Sequence, residues 1–546
     1  MSYAANQSQQ LNMGDKYLNL TEREKKIVEG SWAKQFAEDI FPMIQEERFA
    51  VLYSGNAASR PNTPVNVIVG SMIIKEIQAL SDDDVLTGLV CDIRIQYALH
   101  TTSFEEQPMS DRTLSRFRRR LYEYEQETGR DLLKEEILSL SAGIAKLMGL
   151  QPHLKRMDSL MIASACKDMT RLEVVYTTVA NLVTAVHRIG GGELLGGMEH
   201  YLNADDKNRV IYHNKAEDRA AKIQGIIDDG AVLIERLGEA GAELPEYGLV
   251  KRMLNDQSDR EEKGNLKAKD SHKISPESLQ NPSDPEATYR KKAGEGHIGY
   301  TANIVQTFNN DGAAVITDYS YQQNTHSDSE FCKEAINNIA ESGEAKADEK
   351  VTLISDGSFG GADNDALAKA NDIVLVTTAM TGSKPPEVFA DFNIDNELKQ
   401  ILTCPAGYAP LRQGRNQITD TYRVVMQRNQ CVNCPHREEC GAKLQNNTAV
   451  VSVSVNKVER ARISRKMSSE EYTQYRNARN AIEGIPSVLR RKYGVDEMPV
   501  YGIQKSKLLF GFKIAAINVK KLVKYTRDKC ACAVNNLTPR QQCAQM

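Results

Sequence analysis

The 546-residue chain is 41% hydrophobic and 26% charged with a formal net charge of −4, a balance that suits a soluble globular chain of several domains and excludes a disordered or fibrous one. No apolar run approaches the roughly 20 residues of a bilayer crossing, and MSYAANQSQQ has neither the basic start nor the apolar stretch of a signal peptide, so a cytoplasmic protein with no membrane partner is expected. Ten cysteines are too few for a disulfide scaffold in a chain this long, and clustered ones read as metal ligands or reduced thiols.

A polar tail (1–20) leads into a helix predicted from Thr21, where Thr21 and Glu24 form a capping box ahead of an apolar face of Ile27, Trp32, Phe36 and Ile40. Pro61 and Pro64 mark a loop before an apolar helix over Val65 to Leu80, and Ser81 to Asp84 starts the next. Ser110 to Leu121, SDRTLSRFRRRL, places Arg112, Arg116, Arg119 and Arg120 around one short helix. That cluster suits a helix-turn-helix-like element neutralising a DNA backbone, and equally a solvated charged face. An all-α N-terminal DNA-binding domain (21–150) is the expectation.

Leu154 to Ile162, LKRMDSLMI, reads as a strand carrying Asp158, although a lone Asp in an apolar run is also what a satisfied core polar group looks like. From Arg171 to about Met253 the apolar spacing is helical, and Asn255 to Pro285 is polar and Pro-marked, so a helical insert (about 166–280) ending in a loop is expected. His297 to Thr307 and Ala313 to Tyr319, joined through Asn309, Asn310, Asp311 and Gly312, predict a hairpin. Phe331 to Ala340 and Asp363 to Ala370 read as helices, Val351 to Ser355 and Asp372 to Thr378 as strands. Strand, helical insert, two strands, helix, strand, helix, strand is the order of an α/β, RNase H-like mixed sheet (151–530) with an insertion after its first strand.

In VTLISDGSFGG, Val351 to Gly361, Asp356 stands where a buried strand leaves the sheet, which suits a metal ligand; Asp before Gly also simply begins a turn. The third carboxylate of such a core is expected at Glu483, on one helix over Glu470 to Leu489 and four residues after Arg479 on the same face, with Ala478 and Ile482 inward and Gly484 and Pro486 ending the pattern. Two strand aspartates and a helical glutamate would hold two divalent ions about 3.5–4 Å apart for in-line phosphoryl transfer. All-oxygen ligands favour magnesium or manganese.

A second insert (about 381–450) holds Cys404 in TCPAG and Cys431, Cys434 and Cys440 in CVNCPHREEC. Four thiolates around a C-x-x-C core fit a structural zinc site, with His436 as a substitute ligand; reduced, partly buried thiols are the alternative. Cys530, Cys532 and Cys543, at and within the C-terminal tail (531–546), carry no assignment. From Gly484 to Lys529, 11 Lys and Arg stand against 3 Asp and Glu. There Lys505, Lys507, Lys513, Lys520, Lys521 and Lys524 interleave with Leu508, Leu509, Phe510, Phe512, Ile514 and Ile517, predicting a helix anchored by its apolar face that shows its lysines to DNA.

In this order, SDRTLSRFRRRL, LKRMDSL, DPEATYRKKAGEGHIGY, LISDGSFG and YRNARNAIEG followed by YGIQKSKLLFGFKIAAINVKKL resemble the DDE transposases of bacterial insertion sequences with an InsH-type N-terminal domain, from about Leu52 to Tyr525. The resemblance implies that Asp158, Asp356 and Glu483 are the DDE triad. Related families carry Tyr, Arg, Glu and Lys along the glutamate helix, where DNA ends are contacted; Arg479 fits the arginine, while Arg476 stands at the tyrosine position and Arg490 at the lysine position. The implied activity is binding of terminal inverted repeats, cleavage at element ends and joining of 3′-hydroxyls to target DNA by a homodimer, without a covalent protein–DNA intermediate. The same residues also read as a catalytically silent DNA-binding protein, a repressor or host-adopted factor, or as an RNase H-like nuclease without strand transfer.

Overall fold

Asp158 lies on a strand, Leu154–Ala163 (β1), in the computed structural model of the chain, which describes every residue except 7–13, 57, 213–214, 262–263, 293, 344–349, 381, 396–399 and 536–546. Cys543 lies outside the described residues, as do the side chains of Cys530 and Cys532. The further strands of the same sheet are Thr288–Lys292 (β2), Glu295–Phe308 (β3), Ala314–Gln323 (β4), Val351–Ser355 (β5) and Ile373–Thr377 (β6). β2 and β4 each pair antiparallel with β3, β3 neighbours β1, and β1, β5 and β6 run parallel. The order β4-β3-β1-β5-β6 is that of an RNase H-like sheet, as the element order predicts; β2 is a strand that its charged sequence TYRKK hid. Among the described residues no helix is long and apolar enough to cross a membrane.

The chain divides into two compact units. The first comprises Met1–Gln151, Ser159–Ser327 and Ile485–Met546. Its organising element is the helix Ile503–Asn535, which packs on β4 and on the helices Val65–Gln78 and Leu132–Leu147. Leu508, Leu509, Phe510, Phe512, Ile514 and Ile517 are all buried, as their spacing predicts. Phe510 meets the rings of Tyr319 and Tyr321, with centroids 5.8 and 5.5 Å away. Asn518 acts as a piece of extra strand: its Oδ1 accepts from Ile316 N at 3.0 Å and its Nδ2 donates to Ile316 O at 2.7 Å and Ser141 Oγ at 2.9 Å. Gly299 on β3 has φ +147, and a Cβ there would lie 2.3 Å from Ile162 O, so the crossing of β3 past β1 requires glycine. Asp284, in the DPEATYRKK stretch, is buried and accepts from Tyr300 Oη and Ser164 Oγ, each at 2.6 Å, and from Gly502 N at 3.1 Å.

The helices Arg171–Arg188, Arg219–Leu237 and Pro245–Gln257 close on one core that includes Val179, Leu182, Ile227 and Val250. Two local expectations fail. The Thr21–Glu24 capping box is present, but its helix stops at Glu29, because Gly30 caps it and Ser31 starts a new helix by accepting from Ala33 N; Ile27 is left 59% exposed. The polar stretch after Asn255 is not all loop: Ser258–Arg260 and Leu266–Ala268 pair as a small hairpin.

The second unit comprises Pro152–Asp158 and Asp328–Gly484. It carries the first half of β1, then β5 and β6 with the helices Asp328–Ser342 and Ala362–Ala370. The cysteine-bearing insert is a β structure that its sequence did not announce: Arg412–Asn416 (β7), Thr421–Gln427 (β8) and Thr448–Ser454 (β9) form an antiparallel sheet completed by Lys443–Leu444. Its core of Phe389, Phe392, Tyr422, Val424, Val451 and Val453 also takes in Val458 and Ala461 of the helix Val455–Lys466.

Replacing Asn518 by Leu keeps the volume but removes the partners of two buried backbone groups at Ile316, each worth about 1–3 kcal/mol when left unpaired. Asn518→Leu is expected to destabilise the protein by about 2–4 kcal/mol in urea unfolding; an unchanged midpoint would show that the side chain does not carry that ladder.

Candidate active site

β1 and β5 bring two aspartates to matching positions. Leu154, Lys155 and Arg156 stand opposite Thr352, Leu353 and Ile354, and continuing this parallel register by two residues sets Asp158 opposite Asp356. Side chains two apart on a strand share a face, so Asp158 emerges beside Arg156. Both reach the helix Glu470–Asn480: Arg156 Nη1 donates to Ala478 O at 2.7 Å, and Arg479 Nη2 lies 3.5 Å from Asp158 Oδ1. Burial pushes the Arg156 guanidinium down to about 10, and its bond ties the last helical turn to β1, a favourable place for a cation.

Glu483 is not on that helix. The helix ends at Asn480, residues 481–483 form a turn, and a new helix, Gly484–Tyr493, carries Gly484 and Pro486 in its first turn, where proline costs no hydrogen bond. The turn keeps the predicted neighbourhood, for Arg479 Nη1 is ion-paired with Glu483 Oε1. Arg479 thus joins Asp158 to Glu483. Asp158 and Arg479 are about 15% exposed at the side chain, against 55% for Glu483, and the Arg479 Nε is buried without a hydrogen-bond partner among the described residues.

Asp356 both closes β5 and begins a turn, as each reading of its sequence has it: its side chain accepts from Gly357 N at 2.8 Å and caps the turn Gly357–Phe359. A Cβ on Gly357 would fall 2.4 Å from Ala379 O, so this strand exit needs glycine for space rather than for φ.

Cys404, Cys431 and Cys440 pack on the core of the second unit's antiparallel sheet. Cys404 sits in a tight turn, with its N–H donating to Tyr408 O and its carbonyl accepting from Gly407 N, and Cys434 N donates to Cys431 O. Burial, then Cys434, Cys404 and Cys431, pushes the Cys440 thiol up to about 12, and burial, then Cys404 and Cys434, raises Cys431. They are not drawn into a cage, and among the described residues no three His, Cys, Asp or Glu side chains are placed to hold a metal ion.

The basic residues sort into two kinds. In the first unit, Lys507 pairs with Glu125 and, at 2.8 Å, with Asp131, and Lys513 is buried against Glu76 at 2.7 Å. These are internal counter-charges rather than the exposed lysines expected. Burial pulls Lys507 down, but Asp131 and Glu125 outweigh it and its pKa ends raised. Lys505 and Lys524 are exposed, Lys521 is half-buried, and Lys520 lies over the Tyr493 ring at 5.4 Å. Arg490 donates to Asp496 at 3.1 Å and to Met161 O at 2.7 Å. On the helix Thr113–Thr128, Arg119 faces Glu123 at 3.4 Å and Arg120 stacks on Tyr53, while Arg112, at its N-cap, and Arg116 are exposed.

Residues 403–523 match a family model described as a transposase DDE domain, and residues 24–120 match one described as a transposase domain. Together the two matches support an insertion-sequence DDE transposase. That family comprises nucleic-acid-processing enzymes, implies DNA as the partner and generally uses divalent metals. The first match covers Arg479, Glu483, Arg490 and all four insert cysteines; the second covers Arg112, Arg116, Arg119 and Arg120; Asp158 and Asp356 lie outside both. No curated protein and no solved structure matches the chain. Arg156 is a residue that sequence reasoning passed over, since its partner Ala478 is 322 positions away.

Gly357→Ala must displace the Ala379 carbonyl or the Asp356 turn, whereas a Cβ on nearby Gly361 meets nothing within 4 Å. Gly357→Ala is expected to lower stability by about 1–3 kcal/mol, the usual cost of overpacking, and Gly361→Ala by much less in the same thermal-unfolding series. Equal losses would remove the steric explanation.

Proposed function

We propose that the chain is a DNA transposase that binds terminal inverted repeats, cleaves the element ends and joins their 3′-hydroxyls to target DNA, with Asp158, Asp356 and Glu483 as its triad. The observation that carries this reading is the parallel register of β1 and β5, which when continued past Arg156 and Ile354 sets Asp158 beside Asp356 at the strand exit, with Glu483 linked to Asp158 through Arg479. The donor set is all carboxylate oxygen, which suits magnesium or manganese; the three residues are not gathered into a metal-holding group as they stand, so on this reading they would close around the ions once Glu483 leaves Arg479. When bound, two such ions supply activation of the attacking oxygen and charge neutralisation at the leaving oxygen. The chain's own contribution is placement. β1 carries Asp158 and β5 delivers Asp356 at its exit, Arg156 ties down the helix that bears Arg479, and Arg479 orients Glu483.

On this reading residues 21–150 form the DNA-binding domain and 151–530 the catalytic domain. The exposed Arg112, Arg116, Lys505 and Lys524 neutralise phosphates, and the protein works as a dimer on paired ends in the bacterial cytoplasm, at the nucleoid. The reading of zinc at Cys404, Cys431, Cys434 and Cys440 is supported by Cys404, Cys431 and Cys440, from two chain segments, packing on one core, and zinc there would act as a cross-link of the insert.

One observation favours the rival reading of a DNA-binding protein that does not cut: Arg479 already neutralises Asp158 and Glu483. Asp356→Asn separates the two. It keeps the shape and removes a ligand charge, so magnesium-dependent strand cleavage is expected to fall at least about a hundredfold, more than the 10–100-fold typical of an outer-shell partner, while binding of end DNA persists. Wild-type protein that binds ends and never cuts with magnesium or manganese would establish the rival. Metal analysis is expected to find about one zinc per chain, lost in the Cys431→Ser, Cys434→Ser double variant; folded, zinc-free wild type would leave the thiols simply reduced.

A further inference from the structure

Between the first turns of the helix Thr113–Thr128 and the loop that precedes Val65–Gln78 lies a cavity of about 420 Å³, within the first unit. Pockets for single small molecules begin at about 300 Å³, so the space admits one nucleotide and no duplex. Its lining includes Arg60, Arg116 and Arg120 and no acidic residue. Arg118 and Arg119 on the same helix are paired with Asp82 and Glu123, but Arg60 and Arg116 are exposed and form no salt bridge among the described residues. One wall is the Tyr53 ring with the Arg120 guanidinium carbon 4.6 Å from its centroid. A flat aromatic and guanidinium pair is a surface on which a nucleobase stacks, whatever its sequence. Gln107, also on the lining, has its side-chain carbonyl oxygen buried without a hydrogen-bond partner among the described residues, and an exocyclic amino group of a base is a donor that would satisfy it. A bare phosphate would use the arginines and leave the ring and Gln107 idle.

We propose that this cavity takes one unpaired nucleotide of a DNA strand, its base against Tyr53 and Arg120 and its flanking phosphates at Arg60 and Arg116. The proposal rests on the reading of the chain as a DNA-processing enzyme and adds to it a site for DNA whose strands have been opened.

The test uses the full chain in EDTA, with anisotropy of a labelled oligodeoxycytidylate and of a labelled duplex of arbitrary sequence. Arg60→Ala and Arg116→Ala are each expected to weaken single-strand binding at least about fivefold and to lower its log–log salt slope by about 0.7. Tyr53→Leu is expected to weaken single-strand binding about five- to a hundredfold, as loss of base stacking does, with duplex binding changed less than about twofold; Arg94→Ala, whose arginine is paired with Asp92 away from the cavity lining, serves as the control and binds as wild type. Circular dichroism melting shows whether Tyr53→Leu is folded, and the exposed Arg60 and Arg116 carry the test if it is not. Single-strand affinity unchanged in both arginine variants overturns the proposal. So does displacement of the strand by inorganic phosphate with Tyr53→Leu silent, which marks an anion subsite only. Duplex binding that survives in either case leaves the DNA reading standing; a wild type that binds neither probe removes both.

Discussion

Like charges brought together on neighbouring parallel strands repel unless each finds a partner, and Asp158 on β1 and Asp356 at the exit of β5 find different ones. Arg479 places its guanidinium against Asp158 and Glu483, and the Asp356 carboxylate accepts from Gly357 N. Arg156 holds the helix that carries Arg479 by bonding Ala478 O from beneath. A positively charged group of the same chain therefore lies between Asp158 and Glu483.

The same economy of charge runs through the first unit. The helix Ile503–Asn535 is basic along its length, yet Lys507 and Lys513 neutralise Glu125, Asp131 and Glu76 of the N-terminal helices. Breaking one partner of a buried pair typically costs 3–5 kcal/mol, so these lysines lock helix to helix. A run of like charge thus divides into members that hold the fold, such as Lys513, and members that face solvent, such as Lys505 and Lys524. Only the second kind is at liberty to meet a phosphate.

The strands and helices that build the sheet were legible because their periodicity is local: VTLIS, AAVITDY and HIGYTANIVQT are β-rich over a few residues, and capping boxes mark Thr21, Ser81 and Thr170. The antiparallel sheet of the cysteine insert was not, since its edge strand Arg412–Asn416 is RQGRN and becomes a strand only through its pairing with Thr421–Gln427. The break between Asn480 and Gly484 was misplaced for a related reason. Gly484 and Pro486 do punctuate the chain, but in the first turn of a new helix, so the turn falls just ahead of them and Glu483 lies within it.

By itself the sequence determined the α/β class, the order of the sheet elements, the candidate carboxylates and the Arg479–Glu483 neighbourhood, because each depends on residues within a few positions of one another. Which arginines and lysines are internal, that Tyr53 underlies Arg120, and that Arg156 anchors the Arg479 helix were decided by tertiary structure. Those contacts join residues from tens to hundreds of positions apart, and a side chain's charge says nothing about which distant partner will neutralise it until the fold has brought the two together.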